Sequence, residues 1–324
     1  MKLRFWGTRG SLPVALTAPQ LRERMAKVLM EAGGRRFDSS ADAFAFVDSL
    51  PFALTQTYGG HSSCVEIEHT APGKASHEYL LCDLGSGARP FGSAVLARHG
   101  PATPNTFHVF MSHVHWDHIM GFPLFAPSYI PGNRIRIYGC HAELEEAFRR
   151  QHGAPSFPVD FDQLPAKIEF VRLEAGQYYD IAGYRVMAKR QLHGGDSYGF
   201  RFERDGRSAV YSTDSEHKLD KVDDTENFVD FFREAGVVVF DSMYSLADAV
   251  SVKEDWGHSN NVTGVELCQL AGVKTLALFH HEPVFGDDRI AAIEADTRRL
   301  EEITREDRPP LRVVAAYDGL ELEA

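Results

Sequence analysis

The chain has 324 residues, of which 44% are hydrophobic and 25% charged; these proportions describe a globular protein with a substantial core and exclude disorder as its main state. A formal net charge of −12 excludes broad affinity for a nucleic-acid backbone, which draws on clustered Lys and Arg, but leaves room for a small anion held by metal ions. No apolar run approaches the roughly 18 to 20 residues needed to span a bilayer, and the start lacks a signal peptide's apolar stretch, so the expected location is the cytoplasm, away from membranes.

Leu3-Arg4-Phe5-Trp6 alternates and stops at Gly7-Thr8-Arg9-Gly10, which suits a short strand followed by a tight loop. Thr17 then precedes Ala18-Pro19, and Leu21, Met25, Val28 and Leu29 recur at helical spacing until Gly33-Gly34, giving cap, early proline and terminator in order. A second helix is expected around Ala41 to Leu50, so residues 15–57 form a helical insertion whose apolar stripe reads as packing; the insertion could serve as a lid or a homodimer contact. Strands are expected at Cys64 to Glu68, Tyr79 to Asp83, Thr106 to Met111, Arg134 to Tyr138, Ile168 to Leu173, Tyr184 to Leu192, Tyr198 to Glu203, Ser208 to Ser212, Val237 to Phe240 and Thr275 to Phe279. Helices are expected near Pro90 to Arg98, Ala142 to Gln151, Asn227 to Ala235, Val262 to Ala271 and Asp288 to Ile303. Hairpins outnumber strict βαβ alternation, which favours an α/β fold built as a two-sheet sandwich covered by helices. Length alone admits one domain or two, and we take 1–324 as one. Cys64, Cys82, Cys140 and Cys268 lack the spacing of a zinc knuckle or a disulfide framework and read as buried reduced thiols.

Ser112-His113-Val114-His115-Trp116-Asp117-His118 crowds three imidazoles and a carboxylate directly after the apolar run Phe107 to Met111. Imidazole and carboxylate are the expected donors for zinc and similar divalent ions, and a loop leaving a strand can turn them toward two adjacent metals. His193 and Asp214 also follow strand-like runs, and Leu276-Ala277-Leu278-Phe279 ends in His280-His281, either of which could be a donor. Asp83, entering a glycine loop, could orient an imidazole or simply form the turn. Asp255-Trp256-Gly257-His258-Ser259-Asn260 places one more histidine before a helix, where an incidental capping role is the plain alternative.

The pattern H-x-H-x-D-H at His113, His115, Asp117 and His118 resembles the signature of the metallo-β-lactamase superfamily. The resemblance implies an αββα sandwich and two divalent ions, zinc first, with manganese and iron accepted by the same donors. It implies that His113 and His115 bind one ion and Asp117 and His118 the other, with His193, a bridging Asp214 and His280 completing the set. A hydroxide bridging the two ions would then attack a phosphoryl group. Asp117 and His258 are taken as the catalytic residues, His258 donating a proton to the leaving oxygen or binding the phosphate, with Asp241 orienting it.

Phe5-Trp6-Gly7-Thr8-Arg9-Gly10-Ser11 and Tyr58-Gly59-Gly60-His61-Ser62-Ser63-Cys64 are similar to the paired openings of the phosphodiesterase and ribonuclease Z-like branch, with His61 where that branch usually has Asn. Transfer-RNA-processing members carry a long arm between the third-motif His and the bridging Asp, and usually a carboxylate three residues before that Asp. Here only twenty residues separate His193 from Asp214, read as a hairpin through Arg204-Asp205-Gly206-Arg207, and Tyr211 stands at the carboxylate position. A small phosphodiester such as a cyclic nucleotide is therefore the expected substrate, ahead of transfer RNA. The alternatives are a ribonuclease Z-like RNA endonuclease and a non-catalytic metal or ligand sensor. A di-iron oxidoreductase of the same superfamily would usually carry a flavin domain, for which the chain has no room.

Overall fold

Alternation of side chains along the strands divides the molecule into layers. The computed structural model describes residues 1–68, 77–217, 222–244 and 257–324. Its strands are β1 (Lys2–Gly7), β2 (Cys64–Glu68), β3 (Glu78–Cys82), β4 (Thr106–Phe110), β5 (Arg134–Gly139), β6 (Lys167–Arg172), β7 (Tyr178–Ile181), β8 (Tyr184–Gln191), β9 (Ser197–Arg204), β10 (Arg207–Ser212), β11 (Val237–Asp241), β12 (Thr275–Phe279), β13 (Arg312–Ala315) and β14 (Glu321–Glu323). One seven-stranded sheet runs β14-β1-β2-β3-β4-β5-β6 and the other β13-β12-β11-β10-β9-β8-β7. β3 to β6 are mutually parallel, as are β10 to β13, while β7 to β10 form antiparallel hairpins.

The period of two assigns each strand residue to a layer. On β3, Leu80 and Cys82 enter the core between the sheets, and Tyr79 and Leu81 face the other way. On β11, Val237 and Val239 point to that same central core, while Val238 and Phe240 meet a second apolar cluster with Phe232, Val265, Leu267 and Ile293. Those residues come from helices Val222–Phe232, Asn261–Leu270 and Asp287–Thr304; helices Ala88–His99 and Leu144–Gln151 cover the first sheet in the same way. The result is the αββα sandwich expected from the sequence.

Phe110, at the end of β4, is fully buried at the centre, with its ring 5.0 Å from Tyr138, 5.6 Å from Phe200 and 5.0 Å from Phe202. Apolar burial and ring packing of this kind hold the sheets face to face.

Several expectations need correction. β7, β13 and β14 were not legible, because β14 is three residues long and exists through pairing with β1. The helix expected at Asn227 to Ala235 instead spans Val222–Phe232, since Glu234 takes φ 52 and turns the chain. The insertion forms helices Ala18–Ala32, Ser40–Asp48 and Phe52–Thr55 between β1 and β2, but its stripe is largely unpacked: Leu21, Met25 and Leu29 are exposed and only Val28 is half-buried. Arg24 anchors the first helix through Asp287 and the Gln56 carbonyl instead. All four cysteines are buried and free, and no helix among the described residues is long and apolar enough to cross a membrane.

Replacing Phe110 by Ala should cost about 3 to 5 kcal/mol, the range for deleting a buried aromatic ring; urea unfolding of the purified protein would measure it.

Candidate metal centre

Parallel strands bring their C-terminal ends to one edge, and the chemistry-bearing residues sit just beyond those ends. Asp83 follows β3, His113 to His118 follow β4, His193 follows β8, Asp214 follows β10 and His280 follows β12. Asp83, Asp214 and His280 turn sharply there, with φ of 60, 47 and 60, in the left-handed region that non-glycine residues enter at some cost. The turn aims each side chain across the gap between the sheets.

Five imidazoles and two carboxylates converge. His113, His115 and His193 offer one set of ring nitrogens within 4.8 Å of one another, and Asp117, His118 and His280 form a second such set. Asp214 lies between them: its Oδ2 is 3.6 Å from His113 Nε2, 3.4 Å from His280 Nε2 and 3.9 Å from His193 Nε2, and its Oδ1 is 3.3 Å from His118 Nε2. Asp117 Oδ2 approaches His118 Nε2 at 3.2 Å and His280 Nε2 at 3.3 Å.

Outer contacts choose the free nitrogen of several rings. His118 donates from Nδ1 to Asp83 Oδ2 at 2.7 Å, and His193 donates from Nδ1 to the Gly257 carbonyl at 2.7 Å. Their Nε2 lone pairs are thereby directed into the cluster. His193 Nε2 consequently faces His115 Nδ1 at 3.1 Å, while the buried His113 Nε2 has no hydrogen-bond partner among the described residues. A buried ring nitrogen left without a partner among crowded imidazoles and carboxylates is costly unless a cation lies there. The donor set of imidazole and carboxylate fits divalent ions such as zinc.

Without a cation, burial and the crowded charges pull the members of the cluster in opposite directions. Burial holds His113 well below its ordinary range, as a neutral ligand requires. Burial acts the same way on His118 but is overridden by Asp214, Asp117 and Asp83, which raise it. Asp214 and Asp117 stay ionised despite burial because the neighbouring imidazoles favour the charged form. His281 is turned away: its Nε2 donates to the Ala316 carbonyl at 2.8 Å, and burial depresses it to about 3. Of the adjacent pair, His280 is the one brought to the cluster.

His258 stacks on His280 with ring centres 5.1 Å apart and holds Asp241 Oδ2 at 2.8 Å through Nδ1. Burial lowers its affinity for a proton, but Asp241 outweighs burial and carries it up to about 9. Asp255 and Trp256 of the same motif lie outside the described residues. His61 sits apart, with Nδ1 3.1 Å from Ser86 Oγ.

Sequence reasoning missed three supports. Ser112 donates from its backbone N and its hydroxyl to Asp83, and Tyr211 donates to the same carboxylate at 2.8 Å from the opposite sheet. The backbone N of Ser11, at the root of the insertion, donates to Asp117 Oδ2 at 2.8 Å. Ser112 lies beside the motif, and Ser11 and Tyr211 lie in segments the sequence singled out, but the contacts themselves arise from tertiary packing.

Residues 81–281 match a family model described as a beta-lactamase superfamily domain. A ribonuclease Z of Geobacillus kaustophilus is 24% identical over 239 residues, which is 60% of this chain and 76% of that protein; other ribonuclease Z relatives match over 40 to 51% of their own lengths. Among solved structures, the metallo-beta-lactamase fold protein YhfI of Bacillus subtilis superposes with a TM-score of 0.61 at 16% identity, covering 100% of this chain and 98% of that one. A diphosphatase of the PhnP family gives 0.56 at 17% identity, with 100% and 97% covered.

His258 ordinarily titrates near 6.5 and is raised to about 9 here. In the metal-free protein its pairing with Asp241 therefore stabilises the fold fully below about pH 6.5 and loses that effect as pH rises through about 9. Urea unfolding of metal-free wild type and Asp241→Asn should show a stability gap that narrows over this window; a gap independent of pH would contradict the pairing.

Proposed function

Because the chain belongs to the beta-lactamase superfamily, we propose that it is a dinuclear metal-dependent phosphodiesterase acting on a small phosphodiester such as a cyclic nucleotide. The observation that carries this reading is the convergence of two donor sets on Asp214, a carboxylate placed to be shared by two ions. His113, His115 and His193 would hold one ion, Asp117, His118 and His280 the other. Two such ions, when bound, supply a strongly acidified water and offset negative charge on the phosphoryl oxygens.

The chain's own groups do the rest. Asp83 fixes the His118 ring, Gly257 fixes the His193 ring, and Ser11 N fixes the Asp117 carboxylate, so the donors are preorganised. His258, held at Nδ1 by Asp241, keeps Nε2 free for the leaving oxygen and in its protonated form would act there as a general acid.

The segment between His193 and Asp214 favours a small substrate. It contains β9 and β10, which pair Arg204 with Arg207 around Asp205 and Gly206, both at positive φ. This two-residue turn of the hairpin type leaves no arm to grip a folded RNA, and the charge of −12 opposes one. A second reading, RNA endonuclease, is favoured by the ribonuclease Z relatives.

Purified protein supplied with zinc or manganese should hydrolyse bis(p-nitrophenyl) phosphate, and a chelator or Asp214→Ala should reduce the rate to background. Wild-type-like activity in that variant would sink the mechanism. A side-by-side panel of cyclic mononucleotides, cyclic dinucleotides and precursor transfer RNA decides the substrate; faster cleavage of the RNA than of every cyclic nucleotide would select the second reading.

His258→Gln should lower kcat about 100-fold or more with little change in metal content, measured by steady-state kinetics and elemental analysis of the same sample.

A further inference from the structure

Helix Ala18–Ala32 of the insertion has no fully buried residue along its 15 positions. It leans on the rest of the chain along one side, where Arg24 reaches Asp287 and the Gln56 carbonyl and where Arg24, Val28 and Ala32 are half-buried. On the adjoining side Leu21, Met25 and Leu29 are 51%, 59% and 71% exposed. Their spacing of four sets them in one row along the helix. Single exposed apolar residues are ordinary, but a continuous row of large ones is a surface that meets a partner.

The row is its own complement. Counted from Met25, Leu21 and Leu29 stand four residues to either side and Ala18 and Ala32 seven, and steps of four and seven return to nearly the same face of a helix with 3.6 residues per turn. A second copy laid antiparallel, with a two-fold axis through Met25, therefore sets Leu21 against Leu29, Ala18 against Ala32 and Met25 against itself. An isologous dimer requires this reciprocity, in which each residue meets the one that meets it. Small alanines at both ends of the row let the two helices approach closely.

Charge favours the same arrangement. The helix has no acidic residue in its first turn and no basic one in its last, so neither end of its macrodipole is offset by its own side chains, and an antiparallel copy brings the opposite end to each. Residues 15–57 carry five Lys and Arg against five Asp and Glu, within a chain of net charge −12. Two copies thus meet through a neutral segment, where their mutual repulsion is least. An anionic membrane would instead repel the rest of the chain.

We propose that this face is a homodimer interface, in which helices Ala18–Ala32 of two copies of the chain pack antiparallel about Met25. The proposal concerns assembly and is independent of what the metal centre turns over.

Sedimentation of the full-length protein from about 1 to 200 μM, the range in which a small interface comes apart, should show conversion to twice the mass of one chain. Met25→Arg, which sets like charges face to face on the axis, should weaken the dimer about tenfold or more. Met30→Arg, about 140° round the same helix, should leave it unchanged. Both positions are exposed, so neither substitution opens the core. Met25→Cys supplies a positive readout: the four native cysteines are buried, so a short bis-maleimide should join two chains through the new thiol, whereas Lys27→Cys, on the far side of the helix, should crosslink poorly. A chain that stays monomeric throughout, including one that binds lipid vesicles or another protein as a monomer, overturns the proposal. So does a dimer that Met25→Arg leaves intact, or one that crosslinks through Lys27→Cys as readily as through Met25→Cys.

Discussion

The carboxylate of Asp83 is the contact on which the centre depends. It is completely buried and accepts four hydrogen bonds, from Ser112 N, Ser112 Oγ, His118 Nδ1 and Tyr211 OH. A buried carboxylate with fewer donors would carry a severe desolvation penalty. With all four it becomes a clamp, because Ser112 and His118 belong to the loop after β4 in one sheet while Tyr211 belongs to β10 in the other. The same group thus sets the orientation of one imidazole and the separation of the two sheet edges that carry the remaining donors. Tyr211 completes the clamp as a neutral donor and adds no further negative charge to a pocket already holding Asp117 and Asp214.

Around that clamp the backbone is bent at the same kind of place three times. Asp83, Asp214 and His280 each adopt a left-handed conformation within two residues of a strand end, and each is nearly or fully buried. Local strain of this sort persists only where the surroundings over-determine it, and here the surroundings are the close-packed strand ends. Arg9 contributes from outside the donor set. Its guanidinium donates to the Gly59 and Phe285 carbonyls and pairs with Asp287 at 3.6 Å, which pins the loop whose next residues run to Ser11 and Asp117. The buried ion pair is distant from the chemistry but fixes the path of the chain that reaches it.

Much of this was legible in the residues, and the remainder was hidden for identifiable reasons. The motif from His113 to His118 was readable because so many potential ligands in six positions have no economical structural explanation, and the order implied by the family resemblance, together with strand-end placement, pointed to His193 and Asp214. Sequence left His280 and His281 as rivals; in the structure a left-handed turn at His280 breaks the alternation of β12 and brings that ring to the cluster, while His281 donates to the Ala316 carbonyl. Tyr211 was noted only as a missing carboxylate, because its partner is 128 positions away and no local pattern joins them. The stripe of Leu21, Met25 and Leu29 misled in the opposite direction: helical spacing records amphipathicity, but it does not say whether this chain covers the apolar side. Short β14 was invisible because a three-residue strand has no periodicity to read.

The hairpin turn at Asp205 and Gly206 lies at the far end of β10 from Asp214. Every donor follows the C-terminal end of its strand, so the molecule has one rim where a displacement of an ångström is felt by the whole cluster and another where the chain only reverses direction. Length and composition can drift at the second rim without consequence at the first. Diversification of this scaffold is therefore polarised: the turns between β9 and β10 are free to lengthen or shorten, while the loops that follow β4, β8, β10 and β12 are constrained together.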